Sequence, residues 1–106
     1  MPKYLVEARY TAEGAKGLLR DGGSGRRSAI AKTVESVGGK LETVYFAFGG
    51  VDVYMIVDLP DNIAAAAVSL VANQSGLIAS KTIVLMSPEE VDQATKKTVE
   101  FRPPGR

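Results

Sequence analysis

A chain of 106 residues and 11.2 kDa holds one compact domain with a thin core, with roughly 5700 Å² exposed when folded against roughly 16000 Å² unfolded. Its 45% hydrophobic and 24% charged residues exclude a disordered chain, and 13 basic against 12 acidic side chains leave a net charge of +1, too balanced for an electrostatic binder of nucleic acid or membrane. Cysteine and histidine are both absent, which removes disulfides, thiolate and imidazole metal sites, His-ligated haem and any Ser-His or Cys-His relay.

The first residues carry charge too early for a secretion signal, and the most apolar stretch, Ile63 to Ala72, is too short to span a bilayer. The expected setting is cytoplasmic. Lys3 to Tyr10 alternates as a strand, with Tyr4, Val6, Ala8 and Tyr10 on one side and Lys3, Leu5, Glu7 and Arg9 on the other. Thr11 caps a short helix with Glu13 in its first turn, and Gly14 and Gly17 weaken it. Asp21-Gly22-Gly23-Ser24-Gly25 is expected to break that helix, and Ser24 or Gly25 to start another. The second helix has an inner stripe of Ile30, Thr33, Val34 and Val37, and Gly38-Gly39 ends it.

Lys40 to Phe48 reads as a second strand, Gly49-Gly50 as a hairpin-type turn and Val51 to Leu59 as a third strand. Pro60 stops that strand and Asp61 caps a helix running to about Ser75. Its run Ala64 to Ala67 has no bulk and would let it sit close to a sheet. Leu77 to Met86 is a fourth strand. Ser87-Pro88-Glu89-Glu90 then starts a last helix, with Ser at the N-cap, Pro at the first helical position and Glu at the third. The order β-α-β-β-α-β plus a C-terminal helix is the α+β, ferredoxin-like split βαβ pattern: an antiparallel sheet with two helices on one face. The domain is expected over residues 1–98 and a C-terminal tail over 99–106. Nothing is left to cover the other sheet face.

Several of these segments resemble the GYD-domain family of small bacterial proteins, part of the dimeric α+β-barrel group. The similar pieces are Tyr4 to Thr11, Val37-Gly38-Gly39-Lys40, Phe48-Gly49-Gly50-Val51-Asp52, Met55 to Asp61, Ala64 to Ala67 and Thr82 to Leu85. Together they cover residues 1 to about 95. The motif that names the family stands here as Gly50-Val51-Asp52, with Val in place of Tyr, while Tyr54 lies on the same strand face as Asp52. The resemblance implies the fold and a dimeric barrel. It implies no reaction.

On the uncovered face, Glu7 and Arg9 of the first strand would meet Asp52 and Tyr54 of the third, with Thr43 and Tyr45, or Glu42 and Phe46, beside them. Two readings stand. In one, Arg9 pairs with Glu7 or Asp52 at a dimer interface; in the other, Glu7, Arg9, Tyr45, Asp52 and Tyr54 line a pocket for a small molecule. Asp52 itself is either a general base, raised by burial or by Glu7, or a structural acceptor for the N–H groups of Gly49 or Gly50. Two carboxylates beside Arg9 make a poor Mg²⁺ site, so no metal and no cofactor are expected. Ser24, Arg26 and Arg27 follow a glycine-rich turn at a helix start and could hold an anion, although the pattern has neither the lysine nor the preceding strand of a P-loop. The sheet aromatics lack the motifs of RNA-binding modules and share their face with acids. The functional expectation is a homodimer, or a higher oligomer, binding a small ligand between sheet faces. The alternatives are a cofactor-free enzyme of monooxygenase or isomerase type and a purely structural dimer.

Overall fold

The computed structural model describes residues 1–106. The elements follow in the order β1 (Lys3–Tyr10), α1 (Ala12–Ser36), β2 (Lys40–Phe46), β3 (Val53–Asp58), α2 (Asn62–Gln74), β4 (Ile78–Leu85) and α3 (Pro88–Thr95). The four strands form one antiparallel sheet in the order β2-β3-β1-β4. This is the expected α+β arrangement, and no helix is long and apolar enough to cross a membrane.

Alternation within the strands decides which residues face the helices. In register, Tyr4 lies opposite Val57, Val6 opposite Met55 and Ala8 opposite Val53, and all six point to the helix side. Tyr4, Val57, Leu59, Ile30, Val34 and Ala65 form the buried cluster. The Tyr4 hydroxyl donates to Asn62 Oδ1 at 2.6 Å, which fastens β1 to the start of α2 and satisfies the only polar atom of that ring.

Local chemistry accounts for the ends of the elements. Thr11 Oγ1 accepts from Gly14 N–H at 3.2 Å and donates to the carbonyl of Gly76 at 3.0 Å, joining the end of β1 to the approach to β4. At Gly14 a Cβ would overlap the Leu77 carbonyl, so the glycine permits this close crossing. Gly38 adopts φ 83°, and the N–H groups of Gly38 and Gly39 reach the carbonyls of Glu35 and Val34, both at 3.0 Å, in a Schellman motif. Asp61 and Ser87 are the N-caps of α2 and α3, and Ser87 with Glu90 completes a capping box.

Two expectations are corrected and one is refined. The glycine-rich segment does break the helix, but without a loop: within Ala12–Ser36, Gly22, at φ 70° and ψ 172°, leaves helical geometry and joins two helices across a kink. One residue in a region open to glycine suffices for the bend, so its neighbours stay helical. The β2–β3 connection is longer than a Gly-Gly turn, spanning residues 47–52, and is closed by Ala47 N–H donating to the Asp52 carbonyl at 2.8 Å. In α2 the inner side is Ala64, Ala65, Val68 and Ala72, whereas Ala66 and Ala67 are exposed. The alanine run therefore does not press flat on the sheet.

The helices divide the sheet between them. α1 rests mainly on β2 and reaches β1, α2 rests on β4, and the two barely touch each other. α3 has no packed neighbour, and with the chain beyond it gives the molecule extents of 55 × 32 × 22 Å and a radius of gyration of 16.8 Å. A compact domain of this length has a radius of about 13 Å.

Candidate functional site

The side of the sheet away from the helices is covered by no element of the chain. Register sorts its side chains into rows that cross all four strands. One row is polar: Lys81 of β4, Glu7 of β1, Tyr54 of β3 and Tyr45 of β2. The next is apolar at its centre: Ile83, Leu5 and Ile56, ending in Thr43. At the far end Lys3 lies opposite Asp58. Strand alternation gives this order, because every second residue of each strand must emerge here once its neighbours enter the core.

The charges of this face are unequally satisfied. Lys3 Nζ bridges Glu42 and Asp58, each at 2.9 Å, and the two carboxylates raise the ammonium above its ordinary value of 10.5, the Glu42 hydrogen bond first and that of Asp58 second. Glu7 and Arg9 form no ion pair within the chain, and Lys81, facing Glu7 across the β1–β4 ladder, forms none either. Tyr45 is 71% exposed and Tyr54 40%. Large rings and unpaired charges on a sheet with an apolar centre make a surface suited to a second layer.

Asp52 stands apart from this row. Its N–H donates to the Ala8 carbonyl at 2.9 Å, one residue out of the register in which Ala8 faces Val53. Its carboxylate accepts from Tyr10 N–H at 2.8 Å. Asp52 thus ties the end of β1 to the start of β3. The acceptor role was legible, but the donor is Tyr10 rather than Gly49 or Gly50. No ion pair joins Arg9 to Asp52.

The structure therefore brings Glu7, Tyr45 and Tyr54 into one row, sets Arg9 toward its end, and commits the Asp52 carboxylate to backbone. Of the second group, Ser24 and Arg27 are exposed on α1, whereas Arg26 is half-buried and turned toward the sheet. Sequence reasoning missed Lys81 and the Lys3–Glu42–Asp58 network. Lys81 could have been found by carrying the alternation of β1 into β4. Glu42 could not, because the β2–β3 register shifts between Leu41 and Thr43 and displaces it from simple alternation.

No curated protein and no solved structure matches the chain. The family model described as GYD domain matches residues 4–95, which takes in all of the sheet but Lys3, both packed helices and α3. With that match over most of its length, and with the split βαβ order now seen in three dimensions, the chain belongs to the GYD-domain family.

Proposed function

We propose that the protein works as a homodimer joined through its uncovered sheet faces, and that the dimer holds a small polar ligand between them. The observation that carries this reading is the composition of that face: an apolar centre of Leu5, Ile56 and Ile83 beside Glu7, Arg9 and Lys81, none of which has an ion-pair partner in its own chain. A second sheet would dry the apolar row and close the space around Glu7, Tyr45 and Tyr54.

Binding is favoured over catalysis because the carboxylate best placed by sequence to act as a base, Asp52, already accepts a backbone hydrogen bond. The absence of cysteine is compatible with the cytoplasmic setting this reading takes for the protein. Analytical ultracentrifugation tests the reading. The expected species has twice the 11.2 kDa mass and dissociates when Leu5→Glu and Ile83→Glu are combined. A wild-type chain that sediments only as a monomer at micromolar concentration overturns it.

A further inference from the structure

The opposite side of the sheet holds a second feature, independent of any dimer. Because α1 and α2 lie apart, a cleft of about 270 Å³ remains between them over the middle of the sheet. Its floor is Val6, Ala8, Val53 and Met55, and its walls include Ile30 from α1 and Val68 from α2. Hydrophobic residues make up 14 of the 20 that line it, so water inside would find few partners. The volume lies close to the lower end of small-molecule pockets, about 300–1,000 Å³.

One charged side chain borders this apolar space. Arg26 lines the cleft, and its Nε is buried without a hydrogen-bond partner. An N–H of a guanidinium removed from water and left unpaired is costly, so the site is incomplete as it stands. Arg26 also marks a boundary. Together with Tyr10, Ser75 and Ile78 it lines an adjoining polar cleft of about 290 Å³, whose other residues include Glu13, Lys16, Arg20 and Asp21. Lys16 is paired with Glu13 at 3.0 Å, which leaves Arg20 and Arg26 against Asp21 and a net positive charge at the mouth.

An apolar chamber that opens past an unpartnered arginine into a positive vestibule fits an amphipathic anion. We infer that this cleft binds a monocarboxylate with a medium-length apolar chain, its tail between α1, α2 and the sheet and its carboxylate on Arg26. The planar guanidinium fork matches a carboxylate, and the tail replaces water along Val6, Met55 and Val68. The small inner residues of α2, Ala65 and Ala72, keep the space open.

Decanoate, titrated by calorimetry below its micelle-forming concentration, tests the inference, with decanol as the uncharged control. One decanoate should bind per chain, and decanol at least about tenfold more weakly, as the loss of one charge-assisted hydrogen bond implies. Arg26→Met should bind the two alike, and Ala72→Trp, which fills the cleft, should bind neither while keeping its circular dichroism spectrum. Nuclear Overhauser contacts between the decanoate chain and the methyl groups of Val68 and Met55 provide a readout on the wild-type chain that depends on no variant. Equal affinity of the wild type for decanoate and decanol, an unaltered preference in Arg26→Met, no binding at all, or contacts to Leu5 and Ile83 on the other side of the sheet would each overturn the assignment. The last outcome would leave the sheet-face reading standing, so the two proposals fail separately.

Discussion

The two sides of the sheet carry residues of similar types in different states. On the helix side Tyr4 is 1% exposed, packed among Val57, Ile30 and Val34, with its hydroxyl bonded to Asn62. On the open side Tyr45 is 71% exposed and Tyr54 is half-covered, with Glu7 beside them and no layer above. The same alternation that fills one side with Tyr4, Val6 and Ala8 delivers Leu5, Glu7 and Arg9 to the other. The lesson is that strand pattern assigns residues to sides, but the partner layer determines what they do. The helix layer completes one side only in part, leaving the cleft beside Arg26. The open side has no layer from this chain over it.

That contrast can be broken most directly with matched tyrosine substitutions. Tyr4→Ala should destabilise the chain by about 3–5 kcal/mol in urea unfolding, because it empties a packed site and strips Asn62 of its donor. Tyr45→Ala, measured under dilute conditions that favour the separated chain, should change stability by no more than about 0.5 kcal/mol while weakening self-association. Equal losses at the two positions would mean that the sides do not differ as described.

Asp52 sharpens the comparison at the strand ends. Asp52→Ala removes the acceptor for Tyr10 N–H and should cost about 1.5–3 kcal/mol, while Asp52→Asn, which keeps an acceptor, should recover most of that loss. A structural role predicts this ordering in thermal melts whether or not a ligand is present. If Asp52→Asn were as damaging as Asp52→Ala, the negative charge rather than the hydrogen bond would be the contribution.

The Lys3 network tests the open side by pH. The ammonium is held above its ordinary value of 10.5 by Glu42 and Asp58, so the folded chain binds that proton more tightly than the unfolded chain. The resulting stability is fully present below the unfolded value and disappears as pH rises through the raised folded one. The melting temperatures of wild type and Lys3→Met should therefore differ at neutral pH and converge in strongly alkaline buffer. A gap that widens with pH would contradict the assignment. The smallest effect belongs to Ala67→Leu: the residue is exposed on α2, so its stability should stay within about 0.5 kcal/mol of wild type. A loss above 1 kcal/mol in a urea titration would place Ala67 against the sheet after all, since overpacking costs about 1–3 kcal/mol.

Much of the fold was legible because its signals are local. The alternation in Lys3 to Tyr10, the caps at Thr11, Asp61 and Ser87, and the Gly38-Gly39 stop each act within a few residues, and the split βαβ order follows from their sequence. The same alternation placed Glu7, Tyr45 and Tyr54 on one side of the sheet. Distance along the chain hid the rest. That Asp52 would accept from Tyr10 and that Glu42 would reach Lys3 across a shifted register both depend on contacts between segments tens of residues apart. The spacing of α1 and α2 was beyond any local pattern. It is set by where each helix finds a strand to rest on, and that separation alone turns Arg26 from one basic residue in a glycine-rich stretch into the charged edge of an apolar cleft.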